Sequence, residues 1–199
     1  MNITKQIYPA ILITIVLTVL LGIIYPLAVT GLAYLFFKDQ AQGSLIQKDG
    51  KIIGSRLIGQ AFTGPAYFHS RPSAAGAGYD ATASGGTNLG PTSQKLFEEN
   101  IKTAAEAARA DNPDSTIPID LVTSSASGLD PHITPAAAEF QILRVSRERG
   151  MSADEVRRIV HEHTEGRQLL ILGEPRVNVL ELNLALDAAS PGPHVATAP

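Results

Sequence analysis

The pattern of apolar and polar positions divides the chain at Phe37. From Gln6 to Phe37 no Asp, Glu, Lys, Arg or His interrupts a run dominated by Ile, Leu and Val. A helix rises about 1.5 Å per residue and about 20 apolar residues cross the hydrocarbon core, so the run predicts a transmembrane helix with residues to spare. Lipid offers no hydrogen-bond partners, and a helix supplies its own. A core helix of this length would carry a charged face, and this one has none. The apolar run is too long, and Lys5 too small an amino-terminal charge, for a cleaved signal sequence, which makes it a retained anchor. Within it Ala10, Thr14, Thr18, Gly22, Pro26 and Thr30 recur at every fourth position. Small residues let a second helix approach closely. Such a row drifts about 40° per step on a straight helix, so Ala10, Thr14, Thr18 and Gly22 are the members expected to serve one helix-packing contact.

Beyond Phe37 the pattern changes to that of a folded domain. Leu45-Ile46-Gln47 and Lys51-Ile52-Ile53 flank an Asp49-Gly50 turn, the signature of a β-hairpin. Ser55 to Gln60 is expected to extend that sheet. Thr63 to Pro91 is rich in Gly, Ala, Ser and Pro and predicts a long irregular stretch, pinned by Tyr67, Phe68 and Tyr79. Thr92 to Ala110 reads as a helix with Leu96, Phe97, Ile101, Ala104, Ala105 and Ala108 along one side, stopped by Asn112-Pro113. Ile117 to Val122 predicts a short strand. Thr134-Pro135 starts a helix that runs to Arg149, before Gly150, and Ser152 with Glu155 forms a capping box for the next. Leu169 to Leu172 predicts a buried strand. Leu180, Leu182, Leu184 and Leu186 alternate as in a strand, yet the Asn178/Glu181 capping box and a Val177/Leu182 staple favour a helix. The resulting fold class is α+β: a single N-terminal transmembrane helix with flanks at residues 7–37, one mixed α/β domain at 38–187, and a flexible tail at 188–199.

Composition narrows the functions available. The net charge is −3 and no basic stripe is present, which argues against nucleic acid as a partner. With no cysteine there is no disulfide, zinc ribbon or thiol chemistry. His161-Glu162-His163 invites a metal reading, but two positions apart on a helix point about 200° from each other, so both rings cannot grip one ion. Ser124, Ser125, Ser127, Asp130 and His132 tempt a hydrolase reading, without the Gly-x-Ser-x-Gly elbow of such enzymes. Gly85-Gly86-Thr87-Asn88-Leu89-Gly90 could cradle a phosphate ahead of a helix. Pro91 stands where a phosphate loop has Lys, so a turn into a helix with Pro at its first position is the expectation. No catalytic or metal-binding residue is assigned on these grounds.

Several long stretches together are more specific. YPLAVTG (25–31), GSRLIGQ (54–60), RPSA (71–74), TNLGP (87–91), DLVTSSASGLDPHITPAAA (120–138) and TEGRQLLILGEPRVNVLELNLALD (164–187) resemble the C subunit of the bacterial Kdp potassium-transporting P-type ATPase. His69-Ser70, Asp80 and Thr87 depart locally from that pattern. The resemblance implies a non-catalytic accessory subunit of a pump that hydrolyses ATP to import potassium. It implies a cell inner membrane location, residues 1–6 as a short cytoplasmic tail, one crossing, and an extracytoplasmic domain. A bare count of Lys38, Lys48 and Lys51 against Lys5 leans the other way. The implied partners are a potassium-channel-like subunit and a catalytic P-type subunit, besides the lipid bilayer. The family's subunit is described as a catalytic chaperone that raises the catalytic subunit's affinity for ATP, with a Gln in nucleotide contact that matches Gln141. No cofactor is expected to be bound firmly, and ATP enters by resemblance alone. The alternatives are a membrane-anchored hydrolase using the Ser124–His132 cluster and a membrane-tethered solute-binding domain.

Overall fold

A computed structural model describes residues 3–190. The parts of the expected amino-terminal tail and flexible tail at residues 1–2 and 191–199 lie outside the described residues. The chain falls into two units, divided between Leu45 and Ile46.

The first unit is helical. Helix α1 (Ile3–Val19) passes through one π-type turn (Leu20–Ile24) into α2 (Tyr25–Phe36), and α3 (Lys38–Ala41) follows. Within the apolar span Lys5–Phe36 an 18-residue stretch reaches a mean hydropathy of 2.7 with none of it buried within the structure, so length and composition suit a membrane. The π turn has a local cause in Pro26. Proline has no N–H, and its ring crowds the carbonyl four residues back, here Gly22. The ladder adjusts one turn earlier, where the Tyr25 N–H donates to the Leu20 carbonyl. A π turn takes up one extra residue and sets the following face back by about 100°. The row from Ala10 to Thr30, which a straight helix would spread over about 200°, therefore stays within about 100°. Pro26 and Thr30 thus rejoin the face of Ala10, Thr14, Thr18 and Gly22, which the straight-helix expectation denied them. Thr14 turns its hydroxyl to the Ala10 carbonyl at 2.8 Å.

The expected hairpin follows, β1 (Leu45–Lys48) and β2 (Lys51–Ser55). Asp49 and Gly50 both take positive φ, 53° and 75°, as the tight turn requires. A second sheet has the order β3-β5-β4, all antiparallel, from β3 (His132–Ile133), β4 (Thr164–Glu165) and β5 (Arg176–Asn178). Around it pack α5 (Pro135–Arg149), α6 (Ala153–Glu162) and α7 (Val179–Ala189). Their buried faces meet Ile133, Val177 and the fully buried Phe68 in one core that includes Ile142, Val145, Val156, Leu182 and Leu186. The caps are those the sequence announces. Thr134 Oγ1 accepts from the Ala137 N–H, Ser152 and Glu155 close a capping box, and Asn178 Oδ1 accepts from the Glu181 N–H at 3.2 Å. Glu181 does not complete a second box; its carboxylate meets Arg56 at 2.6 Å instead. Val177 and Leu182, the proposed staple pair, are both buried in the core.

Four expectations are corrected. Strand β2 ends at Ser55 and residues 56–60 turn away. The helix expected from Thr92 begins at Gln94, so Pro91 is not its first residue, and it carries a π turn (Leu96–Ile101) before α4 (Lys102–Asp111). That turn rotates Phe97 outward. Ile117 to Val122 is no strand but a 3₁₀ turn (Ile119–Leu121), because Pro118 lacks a donor and Asp120 faces inward. Finally, Leu169 to Leu172 is not buried; it forms an exposed turn between β4 and β5.

The inward Asp120 links two elements. Its carboxylate accepts from the Thr134 N–H at 2.7 Å and the Thr134 hydroxyl at 3.2 Å, at the positive end of α5. Asp120→Ala leaves the Thr134 N–H at the start of α5 without its acceptor and empties a buried position. We expect about 1–3 kcal/mol of lost stability, read from denaturant unfolding followed by circular dichroism, against near-neutral change for the exposed Asp114→Ala.

Candidate functional site

The irregular stretch after β2 is ordered by side chains rather than by strands. Asn183 of α7 accepts from the Phe68 N–H at 2.9 Å and donates to the Phe68 carbonyl at 3.0 Å. Gln141 of α5 does the same for the next residue, accepting from the His69 N–H at 2.8 Å and donating to its carbonyl at 3.1 Å. Each amide thus copies the two-bond pairing of a neighbouring strand. Gln141 is 2% exposed, and its remaining capacity is taken by the Ala137 carbonyl at 3.2 Å and by Arg144 at 2.8 Å.

Two arginines complete the clamp. Arg144 reaches the Pro65 and Tyr67 carbonyls and pairs with Asp111 at 2.7 Å. Arg149 donates to the Ala66 carbonyl at 2.6 Å, pairs with Asp187 at 2.9 Å and lies 4.8 Å from the centre of the Tyr67 ring. Burial and the Asp187 charge push the Tyr67 hydroxyl pKa up. The His69 ring lies 3.1 Å from the Gly64 carbonyl, and burial first, then the nearby Arg144 charge, pulls its pKa down. Arg144, Arg149 and Asn183 were not singled out from sequence. Their signal is that Gln141, Arg144 and Arg149 share the α5 side that also carries Ala137, Ala138 and Val145.

The serine cluster lies elsewhere in the domain. Ser124, Ser125, Ser127 and Asp130 line a cavity of about 530 Å³ together with Arg71 and Leu57. Arg71 spreads across its wall, donating to the Thr123 carbonyl at 3.3 Å and the Ser124 carbonyl at 3.4 Å and pairing with Asp130 at 3.3 Å. Asp130 also accepts from the His132 N–H at 3.0 Å and lies 3.4 Å from its ring. Burial alone would raise the Asp130 pKa; the His132 hydrogen bonds and the charges of His132 and Arg71 outweigh it, and the net shift is downward. Ser127 Oγ accepts from the Leu129 N–H at 3.1 Å and sits 3.4 Å from Ser125 Oγ. Among the described residues no hydrogen bond joins a serine hydroxyl of this cluster to His132, so the structure gathers the residues without making a nucleophile and base pair. Gly128 sets how closely the loops approach: at φ 68°, an added Cβ would fall 2.6 Å from the Ala75 nitrogen and the Gly85 oxygen.

The remaining candidates are simply placed. His163 bonds the Ile159 carbonyl at 2.9 Å while His161 is exposed, and no group of three potential metal ligands occurs among the described residues. Gly85 to Gly90 do not lead directly into a helix.

Comparison with known proteins is decisive about kinship. Residues 7–188 match the family described as KdpC, the c chain of K+-transporting ATPase. The chain belongs to the KdpC family. Its relatives include the potassium-transporting ATPase KdpC subunit of Koribacter versatilis, 61% identical over 95% of this chain and 97% of that protein. Subunits of the same name from Rhodopseudomonas palustris BisB5 and Polaromonas naphthalenivorans are 52% and 55% identical, covering 94% and 92% of this chain and 98% and 94% of their own lengths. The clamp and the serine-lined cavity are therefore features of a KdpC-family domain attached to a membrane helix.

The clamp gives this domain a dependence on pH. With its folded pKa below the usual histidine value, His69 binds a proton more readily when unfolded. Its contribution is complete above about pH 6.5 and is lost as pH falls through the window beneath that value. His69→Gln, which keeps a donor for Gly64, should flatten the decline in unfolding stability between about pH 7 and pH 5. An unchanged slope would assign that decline to other groups.

Proposed function

We propose that this chain is the non-catalytic accessory subunit of a potassium-importing P-type ATPase. It assembles and stabilises the pump beside a channel-like subunit and a catalytic P-type subunit, with its amino end in the cytoplasm and residues 38–187 outside. The observation that carries the reading is the inward use of the domain's polar side chains. Gln141, Asn183, Arg144 and Arg149 hold backbone, and Arg71 and Asp130 hold each other. A rigid domain with its polar groups so engaged suits a docking part better than a reaction centre. The small-residue row from Ala10 through Gly22, prolonged by the π turn to Thr30, supplies the face on which a partner helix packs.

In this reading any rise in the catalytic subunit's affinity for ATP travels through assembly and conformation. Gln141 acts by positioning residues 65–69, because its amide has no free donor or acceptor to offer a nucleotide. Gln141→Leu and Gly22→Leu should each lower the amount of this chain retained on a tagged partner subunit after mild detergent extraction. Any loss of ATP affinity should follow retention and be restored by excess chain. A Gln141 variant with full retention, an unchanged melting curve and weakened ATP affinity would return the residue to direct nucleotide contact.

The orientation is tested separately. The chain has no cysteine, so Ser115→Cys, at an exposed loop position, gives a single label site. We expect an impermeant thiol reagent to label it on intact spheroplasts. Labelling only after lysis would put the domain on the cytoplasmic side.

A further inference from the structure

The turn between β4 and β5 breaks two rules at one place. Gln168 and Leu172 exchange hydrogen bonds at 2.9 Å, and the Ile171 N–H donates to the Gln168 carbonyl at 3.2 Å. Leu169 and Leu170 occupy the two central positions with φ of 51° and 67°. Two successive positive-φ positions inside the Gln168–Ile171 turn favour Asn-Gly, because L side chains with a β-carbon resist positive φ. The same residues are also the most exposed apolar ones of the domain region, Leu169 at 81%, Leu170 at 88% and Ile171 at 75%. Water and backbone geometry both disfavour leucine here.

Below the tip the stem is electrically balanced. Arg167 meets Glu174 at 2.7 Å and Arg176 meets Glu165 at 2.8 Å. The apolar side chains thus stand out from the turn, each open to solvent over most of its surface. A fluid acyl phase closes around such side chains from every side, whereas a flat subunit surface covers only part of them. The half-exposed guanidinium groups of the stem sit just behind the tip, where phosphate oxygens would meet them. The chain also carries its own membrane helix, which holds the domain at high effective concentration near a bilayer.

We propose that Leu169, Leu170 and Ile171 insert into the lipid interface, giving the domain a second membrane contact besides its helix. The contact needs only the bilayer and does not rest on the assembly role given above.

The chain contains no Trp, so Ile171→Trp places one fluorophore at the tip without touching the positive-φ residues. The full chain, alone in lipid nanodiscs, should emit at short wavelength, and lipids brominated on the upper acyl chain should quench it by about half or more. Adding Leu169→Asn and Leu170→Gly should abolish the quenching while leaving the melting temperature equal or higher, since the turn then has the residues it favours. If Ile171→Trp disturbs the circular dichroism spectrum, Leu172→Trp reports from the stem in the same way. Water-like emission without quenching overturns the proposal. So does a blue shift that appears only when the other pump subunits are added, which would make the tip's partner a protein.

Discussion

A backbone segment that runs through a domain with no strand beside it must find most of its hydrogen bonds among side chains. Residues 64–69 are in that position, and the arrangement of the domain follows from it. The Gly64 carbonyl takes the Tyr67 N–H and the His69 ring, and those of Pro65 and Tyr67 take Arg144. The carbonyl of Ala66 takes Arg149, that of Phe68 takes Asn183, and that of His69 takes Gln141. A buried polar group left unpaired costs about 1–3 kcal/mol, so a few such losses would rival the stability of a whole domain. Arginine suits this work because its planar fork serves several carbonyls at once while a carboxylate balances the charge. Asp111 and Asp187 supply that balance, without which burying Arg144 and Arg149 would be prohibitive.

The same constraint shows why some of the fold was legible in the sequence and some was not. Caps and tight turns are local chemistry, and Thr134, Ser152 with Glu155, Asn178 and Asp49-Gly50 all act where their spacing placed them. The irregular character of 63–91 was also visible in its Gly, Ser and Pro content. Its partners were not, because Gln141 lies 72 residues from His69 and Asn183 lies 115 from Phe68. A periodic apolar pattern announces a buried face but does not say that polar residues within it are buried too. The failure of the expected strand at Ile117 to Val122 has a related origin. Asp120 faces inward to serve Thr134, fourteen residues away, a use that the local apolar pattern does not announce.

Residues that resemble chemistry in a sequence take on other work here. Ser, Asp and His within nine positions look like a catalytic group. In the fold Asp130 is shared between Arg71 and His132, and the Ser127 hydroxyl accepts from the Leu129 N–H to shape its own loop. Gln141, for which the sequence resemblance implied a nucleotide contact, lies among the least exposed polar side chains of the domain. Catalysis requires a donor or acceptor left free for a reacting group. The Gln141 amide is engaged by the His69 backbone, the Ala137 carbonyl and Arg144, and Asp130 is engaged by Arg71 and His132.

The domain thus departs from the usual inside-out pattern in two opposite directions, and the causes differ. Polar residues on the inner side of α5 and α7 are explained within the chain, because each one has an identified backbone group to satisfy. Leucines on the outer tip of the β4–β5 turn have no such account. They gain nothing from the core, they sit in a backbone conformation that disfavours them, and the ion pairs beneath them would hold the stem equally well with Asn-Gly above. A feature that is unfavourable on two independent grounds inside a folded chain must draw its favourable term from outside it. On the proposal made above that term comes from a bilayer, the phase that the apolar span of this chain also suits.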